Sequence, residues 1–273
     1  MSAARLTAEF IGPPDSRIFV LMRAPAAAAR GCVLIVPPFG EEMNKSRRMI
    51  AQMTRRLAER GIACVVCDFY GTGDSEGEFR DATLERWQED LRAVVQWSAQ
   101  RNHPITAVLA IRLGCALAAR ALAGEGSRLS RTVFWQPVTD GSRFLAQFLR
   151  LRTAASMMEP GAKETQAALR ERLRLGEALE VAGYELSQAM ADQLEHVKLS
   201  EAAGAHLGSV EWFEIVRDSA TAIPGATAAV VASMQEHCPD VKVHGIVGEP
   251  FWSSVEIVEN AELLDRTVDA LAA

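Results

Sequence analysis

The chain has 273 residues with 29 basic and 35 acidic side chains, a net charge of −6 with histidine neutral, and 49% hydrophobic residues. That balance suits a globular protein large enough to bury a core without disulfides or structural metal, and it leaves no basic footprint for nucleic acid. No apolar run approaches the roughly 20 residues that span a bilayer, and Met1 to Phe10 lacks the continuous apolar stretch of a secretory signal, so the expected compartment is the cytoplasm.

Taken in chain order, Arg5 to Ile11 and Arg17 to Arg23 are β-rich runs separated by Gly12-Pro13-Pro14-Asp15. That turn chemistry predicts an opening antiparallel hairpin. Continuous apolar runs follow at Cys32 to Val36, Ile62 to Phe69, Ile105 to Ile111 and Thr132 to Trp135, the pattern of parallel strands buried on both faces. Between them, Met43, Ile50, Met53 and Leu57 share one helical face, as do Leu84, Trp87, Leu91, Val94 and Val95. The alternation predicts an α/β protein with helices on both sides of its sheet.

After Pro137 the rhythm breaks. Residues 138–208 hold helix-like stretches, such as Arg143 to Met158 and Glu164 to Leu179, and no convincing strand, so they read as a helical cap inserted into a core of residues 1–137 and 209–273. Strand patterns return at Val210 to Arg217 and Val241 to Val247, for a total of eight. An amphipathic helix with Val258, Leu263, Leu264, Val268 and Leu271 closes the chain. Five scattered cysteines, Cys32, Cys64, Cys67, Cys115 and Cys238, read as reduced core thiols. Cys64 and Cys67 would point to opposite faces of a strand, which argues against a half zinc site. The Lys45-Ser46-Arg47-Arg48 cluster reads as a solvated helix face. No glycine-rich turn opens a helix after the first parallel strand, so no cofactor is expected.

This element order resembles the α/β-hydrolase fold, an eight-stranded, mostly parallel sheet with an antiparallel N-terminal hairpin. Three local signals carry the resemblance. Val36-Pro37-Pro38-Phe39-Gly40 resembles the loop after the third strand that supplies an oxyanion-hole N–H, which would make Phe39 and Leu113 the donors. Asp68-Phe69-Tyr70-Gly71-Thr72-Gly73-Asp74-Ser75 resembles the glycine-rich loop after the fourth strand. Ala110-Ile111-Arg112-Leu113-Gly114 stands where a Gly-x-Ser-x-Gly nucleophile elbow is expected, with arginine in the serine position. More narrowly, the run Pro37 to Met49, Arg112-Leu113-Gly114, Trp135-Gln136-Pro137-Val138-Thr139 and Gly248-Glu249-Pro250-Phe251-Trp252 are similar to the second hydrolase-like family associated with the exosortase A system. That resemblance implies a role beside exopolysaccharide or protein-sorting machinery.

A serine hydrolase needs a nucleophile, a histidine base and an orienting acid. Arg112 has no nucleophilic lone pair at neutral pH. The acid position would fall to Asp218, whose other reading is a surface loop acid. By the resemblance, Glu249 takes the place of the base. His244 lies inside a strand about 16 Å short of the needed point, at roughly 3.3 Å per residue, while His237, His103, His196 and His206 fall elsewhere. Cys115, three residues past the elbow, reads as a core thiol rather than a nucleophile.

A cation at the sheet's centre needs a carboxylate, so an Arg112–Glu249 ion pair is expected, with Glu41 or Glu42 as the second candidate. Without such a partner, Arg112 and the N–H groups of Phe39 and Leu113 would bind a small anion or an acyl group. Glu41, Glu42, Gln136, Phe251 and Trp252 would line that pocket. The residues therefore point to a catalytically degenerate hydrolase-like protein, with a possible protein partner on the cap. The competing reading is an active hydrolase on an ester, thioester or acyl group that uses a water polarised by Asp218 or Glu249.

Overall fold

The computed structural model describes residues 4–123, 129–158, 163–238 and 240–272. The opening hairpin pairs β1 (Arg5–Ile11) with β2 (Ile18–Ala24) in the register Phe10 to Phe19, around a turn whose Gly12 and Asp15 both have positive φ. The chain continues through β3 (Cys32–Val36), α1 (Glu41–Glu59), β4 (Ala63–Cys67), α2 (Leu84–Gln100), β5 (Ala107–Ile111), α3 (Leu113–Ala121) and β6 (Arg131–Trp135). After an insertion come β9 (Ser209–Val216), α8 (Gly225–Gln235), β10 (Val241–Val247) and α9 (Ala261–Ala272). The eight strands form one sheet in the order β1-β2-β4-β3-β5-β6-β9-β10. β1 and β2 run antiparallel to their neighbours and the rest pair in parallel.

Burial follows from this layering. β3 and β5 are buried at every position because helices cover both faces, whereas β2 alternates because one of its faces lies beyond them. Met49, Met53 and Leu57 of α1 and Leu263 and Leu264 of α9 pack on one face with Val33, Ile35, Leu109 and Ile111. Trp87, Leu91 and Val94 of α2 pack on the other with Leu34, Val108 and Ala110. Cys64 belongs to the first layer and Cys67 to the second, and all five cysteines are free and buried. Among the described residues no helix is long and apolar enough to cross a membrane.

The insertion contains α4 (Gly141–Met158), α5 (Gln166–Arg174), a hairpin of β7 (Leu179–Val181) and β8 (Tyr184–Leu186), α6 (Gln188–Glu195) and α7 (Leu199–Ala202). The hairpin corrects the expectation of an entirely helical segment. The run expected to be helical to Leu179 stops at Arg174, because Gly176 at φ 86° ends it, and the two-residue turn Ala182-Gly183 takes positive φ at both positions. The stem is closed by backbone hydrogen bonds from Gly141 to Val197 and from Leu199 to Thr139, and by Lys198 donating to Asp140. Phe144 and Phe148 of α4 stand edge-on to Phe39 at 5.6 and 5.3 Å, which fixes the insertion against the C-terminal ends of the strands.

Candidate functional site

The site is built on the turn between β5 and α3. Arg112 sits there alone, at φ 56° and ψ −122°, a conformation that costs a residue with a Cβ about 1–3 kcal/mol. The turn is held by Arg112 N–H donating to Trp135 O at 2.9 Å and by Val138 and Cys115 N–H donating to Arg112 O. Gly114 permits the tight approach of α3 to the β3 loop, since a Cβ there would lie 2.6 Å from Pro37 O and 2.8 Å from Val36 O. This is the geometry that aims the side chain at residue 112 outward at the head of the sheet.

The Arg112 guanidinium is gripped on three sides. Its Nε donates to both carboxylate oxygens of Glu42 at 3.2 and 3.3 Å, and its Nη2 donates to Glu42 Oε1 at 3.0 Å. Its Nη1 donates to Gln136 O at 3.1 Å, and its Cζ lies over the Trp252 ring, 4.9 Å from the centroid. The two charged side chains are only 12% and 19% exposed. Burial pushes the Glu42 carboxyl above its ordinary value, and Arg112 pulls it back without cancelling the rise. The partner is therefore Glu42, not Glu249, which is exposed. The reason is local: Glu42 stands in the first turn of α1, which Gly40 (φ 55°) precedes as its N-terminal cap position, beside the turn after β5.

Gln136 belongs to the site in a way the pattern of the chain did not reveal. It takes φ 44°, its N–H donates to Phe213 O, and its Oε1 accepts from Ile215 N–H at 2.6 Å. Its Nε2 donates to Glu214, a carboxylate only 4% exposed that also accepts from Trp212 Nε1 at 3.0 Å and Thr227 Oγ1 at 2.7 Å. Glu42, Arg112, Gln136 and Glu214 thus form a continuous polar line across the ends of α1, β5, β6 and β9. Glu214 was missed, although a glutamate two residues after Trp212 in an apolar strand shares its inward face and needs buried donors.

The other expected residues divide. Glu41, Glu42, Arg112 and Trp252 line a cleft of about 270 Å³ together with Phe39, Phe144, Phe148 and Leu151 of the aromatic and aliphatic wall and Lys45, Gln147 and Ser253. Phe251 does not line it; it is 1% exposed, edge-on to Trp135 and Trp252 in the core. Gln136 contributes its carbonyl beneath Arg112 and does not line the cleft. The Phe39 ring is buried among Phe79, Trp87, Phe144 and Phe148, while Leu113 opens α3 beside it. Asp218 is exposed, and its carboxylate is engaged by Ala220 N–H and the Thr221 hydroxyl.

No histidine is among the lining residues. His244 bonds Glu211 and Arg266 on the edge strand, and the His196 and His206 rings each face a backbone carbonyl. Cys115 is fully buried, burial holds its thiol well above the ordinary value, and it donates to Ala110 O. The basic cluster is not one solvated face: Lys45 reaches Ser253 O from the cleft, Ser46 is buried and donates to Glu42 O, and Arg48 pairs with Glu259. Among the described residues no three His, Cys, Asp or Glu side chains converge as a metal site requires.

Residues 27–210 match the model of the serine aminopeptidase S33 family. Among solved structures, the chain is similar to Est1E from Butyrivibrio proteoclasticus with ferulic acid bound, with TM-score 0.70 and 18% identity over 97% of this chain and all of that one. It is also similar to an esterase from Pyrococcus furiosus, with TM-score 0.64 and 13% identity over 98% of this chain and 90% of that one. An esterase domain from Rhodothermus marinus aligns with TM-score 0.63 and 17% identity over 99% and 97% of the two chains. At these identities the structural likeness establishes the α/β-hydrolase fold. No curated relative matches the chain in sequence.

Proposed function

The chain belongs to the serine aminopeptidase S33 family, and from that premise we propose that it is a catalytically degenerate member, a binding or accessory protein that keeps the hydrolase scaffold without its chemistry. The observation that carries this reading is Arg112, in the strained turn where the fold presents a nucleophile, tied to Glu42 by three contacts of 3.0–3.3 Å. A guanidinium cannot attack a carbonyl, and the carboxylate beside it satisfies the charge where a base would take a proton. The positions that correspond to nucleophile, acid and base are Arg112, Asp218 and Glu249, with Phe39 and Leu113 as the oxyanion-loop equivalents and 138–208 as the cap. The motif resemblance to the exosortase A-associated hydrolase-like proteins supports a role beside exopolysaccharide or protein-sorting machinery.

The test is covalent. Incubation with a fluorophosphonate reagent that modifies activated serine nucleophiles, followed by intact-mass measurement, is expected to leave the protein unmodified. A stoichiometric adduct on any residue of the cleft would overturn the reading. One observation favours a second reading: Glu42, its carboxyl lifted by burial and lining the cleft, could serve as general base to a water attacking an ester or thioester. That route leaves no adduct and is separated by turnover.

A further inference from the structure

We infer that Glu42 is a resident anion that occupies Arg112, and that the cleft above the pair therefore takes an uncharged ligand with an aromatic or acyl body and rejects carboxylates. This inference rests on the binding reading proposed above. An arginine fork at the floor of an apolar cleft would ordinarily select a carboxylate or phosphate bidentately. Here the Nε and Nη2 edge is already filled by Glu42, and Nη1 is drawn to Gln136 O. Gln136 is itself anchored through its side chain, whose Nε2 donates to the buried Glu214 and whose Oε1 accepts from Ile215 N–H, so the backbone carbonyl that receives Nη1 sits on a fixed residue and the Nε–Nη2 edge stays turned to Glu42.

The remaining charges cancel in the same way. Of the four charged residues that line the cleft, Arg112 and Lys45 are basic and Glu41 and Glu42 acidic, which leaves no net attraction for an anion. An entering carboxylate would have to compete with Glu42 for Arg112 and would bring a second negative charge beside it, a like-charge contact in a partly desolvated site. The walls do the opposite for an uncharged body. Phe39, Phe144, Phe148, Leu151 and Trp252 offer apolar surface, and Leu151 is half exposed at the mouth, where a ligand would cover it. Gln147 supplies a neutral amide N–H for a carbonyl oxygen.

The experiment uses the full chain and a stable matched pair, 4-phenylbutan-2-one and 3-phenylpropionate, which differ in methyl ketone against carboxylate. Neither can be hydrolysed, so the outcome is independent of whether the protein has esterase activity. Titration calorimetry at pH 7.5 is expected to show the ketone binding the wild type more tightly by about tenfold or more, the equivalent of about 1.4 kcal/mol. In Glu42→Gln the order is expected to reverse, with the affinity for 3-phenylpropionate rising by about tenfold because the Arg112 fork is freed. Leu151→Trp, a change at a half-exposed position, should abolish ketone binding and keeps the test informative if Glu42→Gln does not fold. Equal or tighter binding of the carboxylate by the wild type would overturn the inference, as would an unchanged order in folded Glu42→Gln or the absence of ketone binding.

Discussion

Replacing Glu42 by leucine removes the three carboxylate contacts of Arg112 and leaves a guanidinium that is 12% exposed with only Gln136 O and the Trp252 face. Breaking a buried pair by deleting one partner costs about 3–5 kcal/mol. Because the cleft lets water reach part of this pair, the expected cost of Glu42→Leu is nearer 2 kcal/mol, and that of Arg112→Met is about the same. The double variant removes both charges and their desolvation, so it should lie within about 1 kcal/mol of the wild type, giving a coupling of about 3–5 kcal/mol.

The pH dependence has a definite sign. The Glu42 carboxyl is raised above its ordinary 4.5 in the folded state, so its contribution is fully present below pH 4.5 and is lost as pH rises through the folded value. Wild-type stability should fall across that window, and the double variant should lack the slope. Arg112→Met, which leaves Glu42 without its cation, should cost less near pH 4 than at pH 7.5. The assay is urea unfolding followed by circular dichroism, with unchanged m-values as the check that the two-state comparison holds. Additive single effects, or a Glu42→Leu cost below about 0.5 kcal/mol, would show that the pair is not a buried, mutually dependent unit.

Glu214→Gln should destabilise by about 1–3 kcal/mol, because its amide would face either Gln136 Nε2 or Trp212 Nε1, both donors; thermal melts measure it, and no change would mean that the network rearranges freely. Gly114→Ala should cost about 1–3 kcal/mol despite the better helix propensity of alanine, since the new methyl meets the Pro37 and Val36 carbonyls; a rise in melting temperature would contradict the packing described. At the stem of the insertion, burial alone would raise the Asp140 carboxyl, but hydrogen bonds from Lys198, Ser142 and Arg143 N–H outweigh it and bring it down to about 2 from 3.8. Its stabilisation is thus present above pH 3.8 and lost as pH falls through about 2, and Asp140→Asn should flatten the melting temperature between those limits.

The sheet was legible because burial on two faces writes itself as continuous apolar runs, and every expected strand lies within two residues of its observed bounds at each end. Arg112 was legible as a position because a strand, a sharp turn with Gly114 and a helix leave one place for it. Its partner was not. A glutamate in the first turn of a helix serves the helix dipole whether it points to water or inward, so Glu42 carried no local mark of its role, and loop position favoured the exposed Glu249. The β7–β8 hairpin escaped for a related reason: three-residue strands are too short for a period, and Ala182 does not announce the positive φ it adopts.

Whether this hydrolase scaffold has given up acyl transfer is read most directly from turnover. Purified wild type is incubated with a panel of p-nitrophenyl esters and acyl thioesters beside Leu151→Trp, in which the cleft mouth is filled. Release by the wild type is expected to be no faster than by the blocked variant for every substrate. Saturable turnover by the wild type that Leu151→Trp abolishes and Glu42→Gln removes would contradict it and establish Glu42 as the base of a working enzyme.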